Sequence, residues 1–253
     1  MIDMDFKKSL TAQGVRPVLY LAGDSMMQSY ENDEKGHCGW GQMLAAEAAG
    51  ESLCEAEHRE GCPFPQERRY ILPELILDNC AMAGRSLRTF ASEGRLADIE
   101  KHMRPEDFLL VQFVHNDCNP DHPERFETLE EFADEMKRYS NVAKDKGAQP
   151  ILATPIPLLN PESSLPKFRS YVETIREIAC CEDIPCLDLT AKMEASLSYL
   201  GNRRSGLLYQ PDGAHLTVDG AKHAAHIIAQ MLRESEDERL SLLRSVFCKK
   251  NEQ

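Results

Sequence analysis

The sequence predicts a three-layer α/β/α sandwich with a central parallel sheet. Short apolar runs alternate with longer amphipathic stretches, which is the rhythm of repeated β-α-β units. The apolar runs are continuous, as expected of parallel strands that helices cover on both faces. A chain of 253 residues also fits one domain of this class with a substantial core.

Each element is predicted from its local pattern. The first strand is the apolar run 18–22, and the later strands are predicted over 75–82, 108–114, 151–153 and 186–189. Amphipathic stretches predict helices at about 40–50, 91–102, 126–146, 167–182, 191–200 and, as a last pair, within 217–248. We place a single domain over 1–253, with a core at about 17–232 and a helical tail at 233–253.

Two stretches interrupt this rhythm. Residues 51–73 are rich in charge and contain Pro63, Pro65 and Pro73, which predicts an excursion loop. Residues 201–211 are predicted to form a loop before the last helices. The sequence leaves open whether the excursion is a lid, a subsite wall or a subunit contact, and it leaves the oligomeric state unknown.

Charge and hydropathy limit the partners of the chain. There are 42 acidic and 29 basic residues, and the resulting charge of −13 disfavours attraction to nucleic acid or to an anionic membrane. The stretch 1–17 lacks the apolar segment of a secretory signal, and no apolar run approaches the roughly 18 residues that span a bilayer. We therefore expect a cytoplasmic protein with no nucleic-acid or membrane partner.

Cysteine spacing does not predict a disulfide framework or a metal centre. The nine cysteines are irregularly spaced, which favours reduced thiols. Cys54, His58 and Cys62 recur every four residues, but a fourth ligand is missing and Pro63 would break the helix. Glycine-rich nucleotide-binding motifs are also absent from the sequence. We expect neither a metal nor a cofactor.

Polar residues follow the predicted strands at the sheet edge where ligands bind in such folds. The first strand leads to Gly23-Asp24-Ser25, the second to Gly84 and the third to His115-Asn116-Asp117. The loop before the last helices supplies Asp212-Gly213-Ala214-His215. A serine hydroxyl becomes a strong nucleophile when a base takes its proton and a third group orients that base. Ser25, His215 and Asp212 supply this set.

The tetrahedral intermediate of ester cleavage also needs hydrogen-bond donors for its oxyanion. Candidates are the backbone N–H groups of Ser25 and Gly84 and the side-chain amide of Asn116. Each residue alone has an ordinary structural interpretation, such as a helix cap, a turn or a left-handed glycine. Their joint occurrence at the predicted strand ends favours the catalytic interpretation.

Four blocks, Gly23-Asp24-Ser25, Gly84, Asn116-Asp117 and Asp212-x-x-His215, resemble those of the SGNH (GDSL) hydrolase family. Over about residues 17–230 the chain looks like the rhamnogalacturonan acetylesterase branch, which it matches at 39–42, 79–90, 93–95 and 115–117. The resemblance implies a flavodoxin-like SGNH-hydrolase fold. It also implies that Ser25 is the nucleophile, His215 the general base and then acid, and Asp212 its partner, while Ser25, Gly84 and Asn116 form the oxyanion hole.

Two positions refine this interpretation. The branch usually has glycine before His-Asn-Asp, whereas this chain has Val114, whose β-branched side chain disfavours unusual backbone angles. The departure predicts an altered setting for Asn116. Met27 stands where the nucleophile elbow of α/β-hydrolases requires its second glycine, which disfavours that other serine-hydrolase architecture.

Substrate contacts are predicted at Asp24, Trp40, Arg85 and His115. Arg85 could grip a carboxylate and Trp40 could stack on a sugar ring, although ion pairing and core packing are alternatives for these two. The leading hypothesis is a serine esterase that removes acetyl groups from pectin-derived oligosaccharides. A lipase or thioesterase on the same scaffold, or a noncatalytic carbohydrate-binding protein, remains open.

Overall fold

The computed structural model describes residues 16–31, 36–50, 55–159 and 167–248, and it confirms the predicted sandwich. The strands of its sheet are β1 Val18–Gly23, β2 Arg68–Ile71, β3 Ile76–Asn79, β4 Phe108–Gln112, β5 Gln149–Ala153 and β6 Cys186–Leu187. Across the sheet they lie in the order β2-β3-β1-β4-β5-β6. All neighbouring strands are parallel except β2 and β3.

Strand β2 corrects the prediction that 51–73 is entirely loop. It pairs with β3 through a tight turn in which the Leu72 N–H donates to the Leu75 carbonyl. Arg69 faces Asp78 across this pair and binds its carboxylate at 2.6 and 2.7 Å. The charged residues that suggested a loop therefore include a cross-strand ion pair at the sheet edge.

Helices flank the sheet on both faces. Within the described residues they are α1 Trp40–Ala49, α2 Leu87–Ser92, α3 Arg95–His102, α4 Leu129–Asp145, α5 Phe168–Cys181, α6 Leu189–Leu200, α7 Asn202–Ser205, α8 Val218–Glu234 and α9 Ser241–Cys248. Gly94, at a φ of 84°, separates α2 from α3 where a single helix was predicted. The predicted loop 201–211 contains the short α7 and a 3-10 turn.

Alternate residues of β1 point to opposite faces of the sheet and enter two different cores. Leu19 and Leu21 pack with α1, α6, α8 and α9, whereas Tyr20 and Ala22 pack with the face that α2 to α5 cover. Both faces are thus apolar and covered by helices, as the continuous apolar runs predict.

The segment that was predicted as a helical tail contributes to the core. Helix α9 buries Leu243, Val246 and Phe247 in the cluster that α1 and α8 share. The part of the tail up to residue 248 therefore packs on the domain.

Membrane spans and disulfide bonds are absent from the described part of the chain. No helix there combines the length and apolar character needed to cross a bilayer. The cysteines that fall within the described ranges are free thiols. Cys54 lies outside the described residues. The structure therefore describes only part of the Cys54, His58 and Cys62 alignment.

Candidate active site

The turn that carries Ser25 begins where β1 ends. Asp24 organises it, because its Oδ1 accepts the Met26 N–H at 2.9 Å and its carbonyl accepts the N–H groups of Met27 and Gln28. Gly23 is required by space, since a Cβ there would lie 2.9 Å from the Gln112 carbonyl oxygen. The turn holds Ser25 at the carboxyl edge of the sheet with 9% of its surface exposed.

The start of α1 packs directly against this turn. A Cβ on Gly39 would lie 2.1 Å from the Gln28 carbonyl oxygen, and one on Gly41 would lie 2.4 Å from that of Met27. Only glycine permits this approach. Asn79 holds the turn from β3, because its Nδ2 donates to the Met27 carbonyl and the Ser29 hydroxyl.

Trp40 is not a substrate contact, contrary to the sequence prediction. Its side chain is fully buried, and its Nε1–H donates to Oε1 of Gln112 at 2.8 Å. Gln112 in turn donates to the Thr154 carbonyl at 3.0 Å. The tryptophan therefore ties α1 to β4 beneath the site instead of stacking on a sugar.

The predicted oxyanion donors have unused N–H groups. Among the described residues, the backbone N–H groups of Ser25 and Gly84 donate to no acceptor. Gly84 has a φ of 76°, which glycine adopts readily. Asn116 donates from Nδ2 to the Arg85 carbonyl at 3.0 Å. A primary amide has two N–H bonds, so this side chain keeps one for another acceptor.

Arg125 lies beside both Gly84 and Asn116 and was missed by the sequence reasoning. Its Nη1 donates to Oδ1 of Asn116 at 3.2 Å and lies 3.4 Å from the position of a Cβ on Gly84. The contact fixes which end of the Asn116 amide is the acceptor, so Nδ2 is the end that donates. Arg125 lies in a turn-rich stretch with no catalytic motif, and no local sequence signal marks it.

Buried carboxyl groups support this side of the site. Asp117 has no exposed surface, and it accepts the N–H groups of Leu87 at 2.8 Å and Val114 at 3.0 Å. Burial raises the pKa of Asp117 well above its usual range, and the neighbouring Glu127 raises it further. Burial also raises the pKa of Glu127, whose Oε1 accepts the Arg88 N–H.

Val114 has a φ of 145°, a backbone angle that side chains rarely adopt. It is fully buried, and its N–H and C=O groups are both bonded, to Asp117 and to the Cys118 N–H. The predicted difficulty at this position is therefore present as backbone strain. Asn116 nevertheless lies beside Gly84, because Asp117 and Arg125 hold the segment from both sides.

Two predicted substrate contacts, Asp24 and His115, contact each other. Asp24 is 1% exposed, and its Oδ2 is 3.3 Å from Nδ1 of His115. His115 is also bound through Nε2 to the Ile156 carbonyl at 2.9 Å. Asp24 is therefore corrected from a substrate contact to a residue that organises the Ser25 turn. His115 links that turn to the segment after β5.

Arg85 is engaged within the protein. Its Nε and Nη2 contact Oε1 of Glu93 at 2.9 and 2.8 Å, and its Nη1 donates to the Ala83 carbonyl. The ion pair offsets the charge that is predicted to grip a substrate carboxylate, while the Arg85 side chain keeps 28% of its surface exposed. Its role as a substrate contact stays a prediction. Cys118, which follows Asp117 directly, is buried, and burial raises its pKa to about 12.

Asp212 and His215 form a close pair on the loop before α8. Oδ2 of Asp212 is 2.7 Å from Nδ1 of His215, and Oδ1 accepts the N–H groups of Ala214 and His215. Although burial raises the pKa of Asp212, these hydrogen bonds outweigh burial and lower it below the usual value. The ionised carboxylate can hold a proton on Nδ1 and leave Nε2 as the basic nitrogen.

Ser25 and His215 are not directly bonded. The Ser25 hydroxyl makes no hydrogen bond with any described residue, His215 included. Tyr30 and His37 lie between the two loops. The Tyr30 hydroxyl donates to the Ser25 carbonyl at 3.0 Å, and the His37 ring lies 5.8 Å from that of Tyr30 and 4.9 Å from that of His215.

Within the ranges that the structure describes, two groups of side chains have the donor types that hold metal ions. His37, Asp212 and His215 form one group, and Cys62, Glu67 and Asp98 form the other. In the second group the Arg59 guanidinium already pairs with Asp98 and lies 3.7 Å from Glu67. An arginine thus supplies the positive charge there, and the group fixes the 55–71 segment to α3.

Sequence and structure comparisons place this geometry in a known class. The profile of the GDSL-like lipase/acylhydrolase family matches residues 19–228. The chain is 32% identical over 227 residues to the probable rhamnogalacturonan acetylesterase YesY of Bacillus subtilis, covering 85% of this chain and 92% of that protein. It is 26% identical to the rhamnogalacturonan acetylesterase RhgT of the same organism, covering 85% and 89% of the two chains.

A solved structure shares the fold. The protein YxiM of Bacillus subtilis superimposes with a TM-score of 0.68 at 26% identity, covering 87% of this chain and 56% of that one. The fold and the comparisons together define an acylhydrolase, and the enzyme class is carboxylic ester hydrolase. The chain belongs to the GDSL-like lipase/acylhydrolase family, also called SGNH hydrolases, and within it to the rhamnogalacturonan acetylesterase-like branch.

Proposed function

We propose that the chain is a serine esterase that removes O-acetyl groups from pectin-derived oligosaccharides through an acetyl-enzyme on Ser25. The observation that carries the proposal is the 2.7 Å contact between Asp212 and His215, together with the unused backbone N–H groups of Ser25 and Gly84. The relatives named as rhamnogalacturonan acetylesterases, YesY and RhgT, support the substrate class.

In the proposed mechanism Ser25 attacks the acetyl carbonyl while His215 takes its proton through Nε2. Asp212 holds Nδ1 of His215 at 2.7 Å and stabilises the imidazolium that forms. The proton transfer requires His215 to approach Ser25 more closely than in the structure. Hydrogen bonds between catalytic groups are often long in the absence of substrate and tighten when it binds.

The negative oxygen of the tetrahedral intermediate accepts hydrogen bonds from Ser25, Gly84 and Asn116. This role is supported by the two unused backbone N–H groups and by the second N–H of the Asn116 amide. Donors that are fixed before the reaction stabilise developing charge without reorganisation. Collapse of the intermediate breaks the ester C–O bond, and His215 gives the proton to the departing sugar oxygen, which leaves as a hydroxyl group.

Water then completes the cycle. His215 takes a proton from a water molecule, and the resulting hydroxide attacks the acetyl group. The oxyanion of this second tetrahedral intermediate accepts hydrogen bonds from the same donors. Its collapse returns the proton to Ser25 and releases acetate. The chain's own residues supply every proton transfer in this sequence.

The test is an acetate-release screen with purified protein on acetylated mono-, oligo- and polysaccharides, including acetylated rhamnogalacturonan, acetylated xylan and a small aryl acetate. We expect release from carbohydrate acetates, with preference for rhamnogalacturonan oligomers, and none from Ser25→Ala. Failure on all these substrates would reject the esterase proposal. Hydrolysis of long-chain esters or thioesters, with no release from acetylated sugars, would instead support the lipase or thioesterase alternative.

A further inference from the structure

A second imidazole lies against the base of the proposed triad. The ring centroids of His37 and His215 are 4.9 Å apart. One ligand atom from each of His37, His215 and Asp212 lies within 4.8 Å of the other two. The mechanism above uses Asp212 and His215 but gives no task to His37.

Backbone contacts fix His37 relative to the His215 loop. The Cys38 N–H donates to the Leu216 carbonyl at 3.3 Å, and Nε2 of Gln210 donates to the Gly36 carbonyl at 2.7 Å. The two hydrogen bonds bracket His37. The Gln210 N–H also donates to the His215 carbonyl at 2.7 Å, so Gln210 binds the residue before His37 as well as His215 itself.

We propose that His37, His215 and Asp212 form a binding site for a zinc-type divalent ion, and that the bound ion inhibits the esterase. Two imidazoles and one carboxylate are a typical zinc ligand set with a fourth position left open. Zinc bonds of about 2.0 Å place tetrahedral ligand atoms about 3.3 Å apart. The donor atoms lie within 4.8 Å of one another, so a pair would close by at most about 1.5 Å to reach this spacing, and the 2.7 Å contact of Asp212 with His215 would open by about 0.6 Å.

The other candidate metal group in the described residues is less suited to bind zinc. Cys62, Glu67 and Asp98 face the Arg59 guanidinium, which would have to be displaced before a cation could enter. The Cys62 thiol also donates to Glu67, and burial raises the pKa of this thiol to about 11, which disfavours the thiolate that zinc requires. Zinc therefore has its best ligands at His37.

We expect inhibition because one zinc ligand, His215, is also the base of the proposed reaction. The inhibition, unlike the binding, therefore rests on the proposed function. A zinc ion bound to His215 and Asp212 removes the orienting carboxylate and takes an imidazole lone pair. The histidine then cannot accept the Ser25 proton. Zinc binding itself does not depend on that assignment, so the two can be tested separately.

The binding test titrates metal-free protein with zinc chloride in a calorimeter. We expect one site in the wild type and at least about tenfold weaker binding in His37→Ala and His37→Gln, since even outer-shell changes weaken zinc sites tenfold or more. His226→Ala is the matched control, because His226 is an exposed histidine of α8 whose Nδ1 lies 3.3 Å from a carboxylate oxygen of Glu47 on α1. Binding that both His37 variants leave unchanged, or no binding at all, would overturn the proposed site.

The activity test follows hydrolysis of a small aryl acetate as zinc chloride is added, relative to each variant's own zinc-free rate. We expect loss of activity that EDTA reverses, with at least about tenfold more zinc needed in His37→Ala and no change in His226→Ala. Zinc binding at His37 without loss of hydrolysis would overturn the proposed inhibition and reject His215 as the base. Hydrolysis that rises with zinc would also overturn the inhibition. Active enzyme that binds no zinc would overturn the site and leave the proposed function standing.

Discussion

The two halves of the proposed catalytic site are built differently. On the oxyanion side, Asn116 is followed by the fully buried Asp117, whose carboxyl group accepts two backbone N–H groups. On the base side, the Asp212 side chain is 47% exposed and its bonds stay within its own loop. The oxyanion half is therefore anchored to the folded core through Asp117, whereas the base half lies on the surface.

The contrast separates effects on rate from effects on stability. Removing a base-side group leaves no buried atom without a partner, so only catalysis should suffer. Removing a support of the oxyanion side strands buried N–H groups, so folding should suffer as well. Substitutions on the base side should therefore lower the rate alone, whereas those that remove a support of the oxyanion side should also lower stability.

Ser25→Ala and His215→Ala should have the largest effects on rate. Loss of the nucleophile or of its base is expected to lower kcat by at least about 10⁴-fold on an aryl acetate. Thermal unfolding should remain close to that of the wild type, because neither side chain supports the core. An unfolded His215→Ala protein would contradict the comparison, because it would show that the base side also supports the fold.

Asn116→Ala should come next. Loss of one oxyanion donor is expected to lower kcat by about 10²-fold to 10³-fold with little change in KM, because the hydrogen bond strengthens only in the transition state. Steady-state kinetics on one acetylated substrate would measure both parameters. A rise in KM at constant kcat would show that Asn116 binds substrate instead.

Asp117→Ala should mainly affect stability. The N–H groups of Leu87 and Val114 would lose their acceptor, and the expected cost is about 2 kcal/mol or more in the free energy of unfolding. Denaturant unfolding would measure it, with Asp212→Ala as the matched base-side variant that should unfold like the wild type. Equal losses in the two variants would contradict the comparison.

The Asp117 carboxyl group should also make the free energy of unfolding depend on pH. The raised pKa of Asp117 means that the folded protein holds a proton that the unfolded chain releases near pH 4. Its contribution to stability is therefore full below about pH 4 and is lost as pH rises toward the folded pKa. Asp117→Asn should flatten that decline, and an unchanged decline would assign it to another group such as Glu127.

Arg125→Ala should reduce kcat by about tenfold, which corresponds to the loss of one hydrogen bond from a charged donor. The expected cause is that the Asn116 amide is no longer held in one orientation. Arg125→Lys should recover part of the rate, while KM stays near that of the wild type in both variants. A change confined to KM would reassign Arg125 to substrate binding.

Val114→Gly should lower stability less than the same substitution at another buried valine. Glycine relieves the strain at a φ of 145°, which offsets part of the lost side-chain burial. Val111→Gly is the matched control, because Val111 is equally buried but lies in regular β4. We expect Val114→Gly to cost at least about 1 kcal/mol less than Val111→Gly in denaturant unfolding. Equal costs would mean that the strain is negligible.

The sequence predicted features that depend on local pattern. Apolar runs predicted the parallel strands, and the i, i+3 spacing predicted that Asp212 and His215 could be presented together. Strand β2 escaped prediction because its charged residues find partners only across the sheet, as Arg69 does with Asp78. Local charge density cannot distinguish such a strand from a solvated loop.

Side-chain roles at the site were less predictable than their positions. Trp40 and Arg85 have the chemistry of sugar and carboxylate binding, yet Trp40 donates to Gln112 in the core and Arg85 forms an ion pair with Glu93. Arg125 was missed because its contact with Asn116 depends on how the 117–127 loop folds back. Motifs identify reactive groups, whereas tertiary contacts decide which polar groups remain available.

The central claim is that acyl transfer passes through Ser25. The most direct measurement is peptide mapping by mass spectrometry after the enzyme is mixed with an aryl acetate and quenched with acid within its first turnovers. The account predicts one added acetyl group on Ser25 in the wild type and none in Ser25→Ala. Rapid hydrolysis with no acetyl group on Ser25, or with the label on another residue, would contradict it.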